Sequence, residues 1–439
     1  MAVLGGGTGG IAAAYFLSGD CDVTLIESRS KVGGVCESVV VDCRGTAVTV
    51  DVGPQFFHPD THPIYLALLE ELGLFTPGDP GGDDTSDVPA SLCLQSLHGG
   101  SPRFSSAAPL RTPIRAAEFA IYTQKARAAV LNKIPWELTT EDWIAGLPLT
   151  RGFKNDVLFP LIASLIGTTR ANLSRASARF ALEVFALAFP PARELHKGAR
   201  IWSSTIGIRG NLQRMFDRCQ DAKVEVGSPV REVSQSGGQW SVRTAAGVCG
   251  PFDAVVLNAP PYTSKSFFKT VPWAADVIRL LSAYEFFESR VVVHKDPCYV
   301  HPDRGMWALA NVGAAGDEWE TSVWLGALHP KLPGGDTVDV FKSWSQRRRA
   351  DPADVLCERR YRHILVTPEV AGAIRSLNAL QGRNGLYFCG NFTCGVDLQE
   401  TALYSAMKVA DALAPHSATL AALRRRLALR GRSGTNYDL

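Results

Sequence analysis

The sequence predicts an α/β fold, a parallel sheet flanked by helices and divided by an inserted α+β unit. Three observations carry this. An apolar stub at residues 2–4 runs into a glycine-rich turn and then a helical run; a second apolar strand ends in an acid; and strand-forming stretches at both ends of the chain enclose a long helical block.

The opening stretch reads VLGGGTGGIAAAYFL, with Gly5, Gly7 and Gly10 spaced G-x-G-x-x-G. Gly5 permits the tight turn, Gly7 lets backbone approach a pyrophosphate, and Gly10 lets helix and strand pack closely; the helix N-terminus then offers free N–H groups to the anion. The next strand, CDVTLIE, closes on Glu27, placed to accept hydrogen bonds from a ribose. Together these predict a Rossmann-like dinucleotide site. The acid disfavours a 2′-phosphate and leaves FAD and NAD open.

A glycine pair, Gly33 and Gly34, follows in ESRSKVGGV, then a strand at 48–52 and a Gly53-Pro54 turn in TVDVGPQFF. Ile64, Leu68, Leu69 and Leu72 have helical spacing, with Gly73 as C-terminal cap. Residues 76–90 read as a surface loop, and 112–195 as helical. Within the latter, ARFALEVFALAF is apolar on several faces, Phe180, Val184 and Leu187 on one and Phe185, Ala188 and Phe189 on another. Such a helix is buried or lines an apolar cavity. Strands return in KVEVGSPVREV, GQWSVRT and FDAVVLNAPP, and SRVVVHKDPCYV with ETSVWLGALHP read as paired strands. The chain closes as strand, turn, helix: GLYFCGN, FTCGVDLQ, ETALYSAMKVADAL.

At 439 residues the chain can bury a substantial core, and a formal net charge of +2 gives no bulk attraction for nucleic acid. Arg347 to Arg349 and the tail LRRRLALRGR are local basic exceptions; each reads as a solvated helix face, and the tail is a candidate for contact with an acidic membrane surface. The ten cysteines form no CxxC pair and no cluster at metal spacing, which predicts a reduced, cytoplasmic protein without a metal site. Cys389 and Cys394 read as small buried residues. With the first strand starting at Ala2 no signal peptide is expected, and no apolar run is long enough to span a bilayer.

In order, GxGxxG at Gly5, Gly7 and Gly10, then Glu27, Gly33-Gly34, DVGPQFF, FDAVVLNAPP and GLYFCGNFT with its closing helix resemble the flavin-containing amine oxidase and phytoene desaturase superfamily. The likeness spans the chain at these segments and is loose in the helical block. It implies FAD, bound non-covalently, since 372–385, where a cysteinyl link would lie, holds no cysteine. It also implies an FAD-binding domain in three parts, 1–95, 201–265 and 366–439, and a substrate domain in two, helical at 96–200 and strand-rich at 266–365.

Residue by residue, the resemblance assigns the pyrophosphate to Gly5, Gly7 and Gly10, the ribose to Glu27, and the pyrophosphate and ribityl chain to Gly33 and Gly34. Lys31 stands where the family has arginine. Val230 matches the position whose backbone meets adenine, and Gly53, Pro54, Gln55 and Phe56 approach the isoalloxazine ring. Gly390 and Asn391 match a Gly-Asp or Gly-Glu pair near the ribityl phosphate. Leu398 and Gln399 open a helix aimed at the flavin N1/C2=O edge, where its dipole would stabilise the reduced ring.

Amine oxidases of the family place a lysine near flavin N5 on the strand that here reads SRVVVHKDP, where this chain has Ser289, and an aromatic residue before the last helix, where it has Leu398. Both departures disfavour amine oxidation. RYRHILVTPEV, LQGRNGLYFCGN and ETALYSA are similar to bacterial polyunsaturated fatty acid isomerases and to uncharacterised amine-oxidase-like flavoproteins. The expected chemistry is hydride transfer from a substrate C–H to flavin N5, on a largely apolar unsaturated molecule, ending in oxidation, desaturation or a double-bond shift. Gln55, Arg290 and His294 are the candidate polar actors, with Arg290 suited to anchor a carboxylate. Amine or amino-acid oxidation and a non-catalytic flavin-binding role are the alternatives.

Overall fold

Strands from three distant stretches of the chain meet in one parallel sheet. In this computed structural model β1 (Ala2–Leu4), β2 (Thr24–Ile26), β10 (Lys223–Glu225), β14 (Val255–Leu257) and β20 (Leu386–Phe388) lie in the order β10-β2-β1-β14-β20. The structure describes residues 1–76, 84–97, 101–106, 108–219, 221–329, 337–344, 351–432 and 436–439. The central strands read AVL and VVL because a parallel sheet covered on both faces offers no polar side. Helix α1 (Thr8–Leu17) is buried along its whole length, between the sheet and α7 (Gln399–Leu413).

Helix α2 (Pro63–Glu71) starts on a proline and is followed by Gly73 at φ +73, so the expected cap is present. Helix α8 (Ala418–Leu429) lies on α2, and the basic tail pairs within the chain: Arg426 with Glu70 and Glu71, Arg430 with Glu70, Arg424 with Asp411 and Arg432 with Asp60. Arg347 to Arg349 lie outside the described residues.

Glu400, in the first turn of α7, joins α7 to α2. Its carboxyl accepts from the backbone N–H groups of Ile64 (2.9 Å) and Tyr65 (2.8 Å), and Tyr437 Oη lies 3.2 Å away. Burial pushes its pKa up from 4.5 to about 8, against the pull of those N–H donors. The unfolded chain therefore ionises first, and stability falls as pH rises from 4.5 through about 8. Glu400→Gln should flatten that slope in chemical denaturation and, by turning one acceptor into a donor facing an N–H, cost roughly 1–2 kcal/mol at low pH.

A second, seven-stranded sheet runs β19 (Val355–Leu365), β15 (Glu285–His294), β18 (Phe341–Trp344), β17 (Glu318–Trp324), β16 (Ala310–Ala315), β7 (Leu92–Ser96), β8 (Phe104–Ser105). β7 spans the division expected at residues 95 and 96 and pairs into this sheet, parallel to β16. The stretches read as paired strands, β15 and β17, share the sheet but are separated by β18. Helices α3 (Pro113–Leu131), α4 (Phe159–Ile166) and α5 (Ala178–Glu183) cover part of one face, against Leu92, Leu94, Val312, Ala314 and Trp319. The hairpin of β3 (Ser38–Cys43) and β4 (Thr46–Asp51) covers another part of it, through Val48, Val50 and Val52.

Two local expectations are corrected. Within the loop expected at 76–90, Thr85–Pro89 is β6, paired with β9 (Arg200–Ser204), which also pairs β5 (Phe56–Phe57); residues 77–83 lie outside the described set. Pairing to β9 overrides the weak strand propensity of TSDVP. The helix expected through ARFALEVFALAF stops at Glu183, where Arg179 closes an i,i+4 ion pair at 2.6 Å, and a separate 3₁₀ turn follows at Ala186–Ala188. β11 (Glu232–Ser236), β12 (Gln239–Arg243) and β13 (Val248–Phe252) form a small antiparallel sheet, and α6 (Gly207–Phe216) packs beside α1.

Candidate active site

The glycine turn is a close-packed cradle. A Cβ on Gly10 would sit 1.9 Å from the Gly5 carbonyl oxygen, one on Gly7 3.2 Å from Asn258 Nδ2, and one on Gly9 2.6 Å from Asn258 Oδ1. Gly5 has φ +105, and Asn258 Nδ2 donates to its carbonyl at 3.0 Å. Asn258 and Gly9 thus hold the turn as much as the motif glycines do. Glu27 is buried beneath it: Oε2 accepts from Gly6 N at 2.6 Å, and Oε1 accepts from Arg29 N at 2.7 Å. Gly227 and Ser228 bond back to Arg29 and Glu27, which brings the segment leading to Val230 alongside that acid.

Gly34, at φ +59, approaches Gly7 so closely that a Cβ would lie 3.0 Å from Gly7 Cα. Gly33 lies under Arg209 of α6, whose Nη1 would be 2.5 Å from an added Cβ. Arg29 donates to the Gly34 carbonyl at 3.0 Å, while Lys31 is exposed. Arg29 and Arg209, which the motif reading did not single out, are therefore the cations at this turn. A Cβ on Gly53 would lie 1.9 Å from the Val35 carbonyl, which requires glycine there. Gly390, at φ +124, is held by its N–H to Ser405 Oγ (2.7 Å), Asn391 donates to Asp397, and Gln399 Nε2 donates to the Phe56 carbonyl at 3.3 Å. Leu398 caps α7 from outside and packs against the core beneath the parallel sheet.

Strand pleating decides which residues of the large sheet face this cradle. Directly opposed residues share a face. Ser289, Val291 and Val293 of β15 therefore lie with Tyr361 and Arg359 of β19 and with Trp344 and Lys342 of β18, on the face that meets the β3–β4 hairpin. Arg290 and His294 lie on the opposite face. Arg290 is ion-paired there with Asp351 and with Glu358 at 2.8 Å, and His294 is fully buried, bonded to Ser343 Oγ at 2.8 Å and stacked on Phe341. Both proposed polar actors are thus one residue out of phase with the cradle. Arg290→Leu should leave KM within about twofold of wild type in steady-state assays and cost about 1 kcal/mol of stability.

The third candidate, Gln55, is buried on the cradle side, and it has a partner that sequence reasoning missed. Lys342 is 1% exposed; its Nζ donates to the Gly53 carbonyl at 2.5 Å, with Gln55 Oε1 at 3.4 Å and the Trp344 ring 5.2 Å away. Burial lowers its pKa from 10.5 to about 8, offset in part by Asp51, whose own pKa burial raises to about 6. The signal was in the sequence. Val338, Val340, Lys342 and Trp344 alternate as an inward stripe in which the lysine is the exception.

Ser289, at the position where the resemblance expects lysine, bonds His363 Nε2 at 2.9 Å, and His363 Nδ1 bonds Asp397 Oδ2 at 2.9 Å. Tyr361, cross-strand from Ser289, has a buried Oη without a hydrogen-bond partner among the described residues. That orphan, the glycine cradle and the buried Glu27 carboxylate fit a bound dinucleotide with a polar-edged ring. All ten cysteines are free, and burial pushes the Cys36, Cys389 and Cys394 thiols up to about 12. No helix among the described residues is long and apolar enough to cross a membrane.

Comparison with known proteins places the fold among solved structures. The structure is similar to a CLA-producing fatty acid isomerase from P. acnes, at TM-score 0.64 and 15% identity over 93% of this chain and 97% of that one. It is similar to cyclohexylamine oxidase from Brevibacterium oxydans, at TM-score 0.64 and 14% identity over 94% and 98%. Putrescine oxidase bound to putrescine gives TM-score 0.65 and 14% identity over the same shares. No curated protein matches significantly in sequence. A sequence profile described as flavin containing amine oxidoreductase matches residues 8–294, well over half of the chain. The chain belongs to the flavin-containing amine oxidoreductase family, which implies a flavin cofactor.

Proposed function

We propose that this protein is an FAD-dependent oxidoreductase that removes hydride from a C–H bond of a largely apolar, unsaturated small molecule. When bound, the flavin supplies a two-electron acceptor for that hydride. The chain's part is to hold the cofactor, orient the substrate and exclude water. Gly5, Gly7, Gly10, Gly33 and Gly34 would cradle the pyrophosphate, with Arg29 and Arg209 as cations beside it. Glu27 would take the ribose, and Gly53 to Phe56 the ring. The neutral, buried thiols favour non-covalent binding.

The observation that carries the reading is the single sheet face shared by Ser289, Trp344 and Lys342. It runs from the ring-side segment Gly53 to Phe56 to the apolar cover of α3, α4 and α5, so an apolar body and a reacting carbon can be held on one surface. A substrate domain assembled from the helical stretch and the large sheet follows from it. A fatty acid isomerase and two amine oxidases share this fold, and the substrate classes in their names bracket the proposed one.

The test is the visible spectrum of the purified protein, with the compound released by heat identified by mass. Anaerobic mixing with unsaturated acids should then bleach the flavin band. A colourless protein that takes up no added FAD overturns the reading. One observation favours amine oxidation instead, the buried Lys342 beside the ring-side segment. Bleaching by apolar amines with peroxide release in air, and none by unsaturated acids, would select it.

A further inference from the structure

We propose that Ser289, His363 and Asp397 form a proton-accepting relay at the flavin ring, so that the substrate is one that gives up a proton together with its hydride. This rests on the cofactor reading above and narrows its chemistry to a net oxidation.

The three side chains come from β15, β19 and the loop before α7, and they are joined end to end. A carboxylate only accepts, so the 2.9 Å contact from Asp397 Oδ2 places a proton on His363 Nδ1. In the neutral imidazole His363 Nε2 is then the acceptor, and the Ser289 hydroxyl, 2.9 Å away, is its donor. Phe287 stacks on the imidazole at 5.2 Å and 26°, which fixes its plane. Asn391 donates to the other Asp397 oxygen, and its neighbour Gly390 is anchored by Ser405. Burial raises the Asp397 pKa, but His363 and Asn391 outweigh it and hold the carboxyl below its ordinary value. The serine is thus backed by an oriented imidazole, and the imidazole by a carboxylate.

Position ties the relay to the ring. Ser289 is on the sheet face that meets the cradle, and its cross-strand partner Tyr361 holds a buried, unpartnered hydroxyl on that face. Asp397 lies two residues before Gln399, which bonds the Phe56 carbonyl. Among the described residues, the other ionisable groups facing this region include Tyr361, the Arg359–Glu37 ion pair, Cys36, Cys357, Arg209, Asp51 and Lys342. Neither Arg359 nor Lys342 stands in hydrogen-bond contact with the imidazole, so among the described residues Asp397 is the charged group bonded to it.

The chemistry balances as follows. The substrate C–H bond breaks with both electrons going to the flavin, which is reduced as the substrate is oxidised. The proton on the adjacent heteroatom passes to Ser289 Oγ while the serine proton passes to His363 Nε2. A new carbon–heteroatom π bond forms in the substrate, and an imidazolium remains beside the Asp397 carboxylate. An alcohol or a neutral amine on an apolar body meets this requirement. A redox-neutral double-bond shift releases no proton and leaves the relay idle.

The test needs no substrate. The flavin-loaded protein is reduced photochemically, and proton uptake is read from the pH dependence of its midpoint potential between about pH 6 and pH 8. Negative charge added to the ring favours the imidazolium, so wild type should take up one proton more per two electrons than His363→Gln. In wild-type protein carrying ¹⁵N-histidine, one imidazole resonance should move to the protonated position on reduction at constant pH. This second readout stands even if His363→Gln does not retain flavin. An equal proton count in wild type and His363→Gln, or no imidazole shift in reduced wild type, overturns the relay. A protein with no visible flavin band overturns the cofactor reading before any titration, so the two failures are told apart.

Discussion

Gly10→Val should yield a protein without bound flavin and with its folding midpoint sharply lowered. A Cβ at this position lies 1.9 Å from the Gly5 carbonyl oxygen, and that atom is backbone, held in turn by Asn258. No rotamer relieves the overlap. Either β1 and α1 separate, which opens a fully buried helix, or the turn changes its φ angles and loses its anion-binding shape. A loss of about 3 kcal/mol or more is expected. Gly19→Ala, with nothing within 4 Å of the added atom, is the matched control and should keep both flavin and stability. Absorbance of the flavin band and urea denaturation, measured on both variants, check the pair. Flavin retained by Gly10→Val at wild-type stoichiometry would show that the cofactor does not use this turn.

Lys342→Met should move stability and activity in opposite directions. The ammonium is buried, and among the described residues it donates to one carbonyl and one amide oxygen. Its folded pKa of about 8 lies below its ordinary 10.5, so the unfolded chain holds this proton more tightly. The resulting cost is fully present below about pH 8 and disappears as pH rises toward 10.5. A methionine of similar length should therefore stabilise the protein by ~1–3 kcal/mol at neutral pH, with the gain shrinking in alkali. Flavin reduction by substrate should slow by about 10²-fold, because the only cation seated at Gly53 and Gln55 among the described residues is gone. Thermal denaturation across pH, paired with anaerobic stopped-flow traces, separates the two effects. A variant that is less stable and equally fast would make Lys342 a structural residue.

The cradle was legible in the sequence because local geometry determines it. Gly5, Gly10 and Glu27 lie within one β-α-β unit, where spacing along the chain translates directly into spacing in space. Gly53 was legible as a turn and Gly390 only through resemblance, and the close contacts that require them, from Val35, Ser405 and Asn258, follow no motif spacing. Arg290 and His294 fall on the sheet face away from the β3–β4 hairpin, one residue out of step with Ser289. In a strand, a shift of one turns the side chain to the other face, and nothing within SRVVVHKDP says which face meets the cradle. That is decided by pairing to β18 and β19, and by the hairpin packed over Val291 and Val293. The loop expected at 76–90 and the helix expected past Glu183 failed for a related reason, as β9 and the Arg179–Glu183 pair supply contacts that composition does not encode.

The parallel sheet also has a consequence for synthesis. Its last strand, β20, and the helix that covers α1 are made only after residue 385, so most of the polypeptide leaves the ribosome before the nucleotide cradle can close. Until then the all-apolar flank of α1 has no lid, and the nascent chain presents a sticky surface for far longer than a locally wired protein would. Premature termination anywhere upstream of β20 should therefore produce insoluble, colourless chains rather than a smaller working flavoprotein, and holding chaperones should be found on the stalled intermediate.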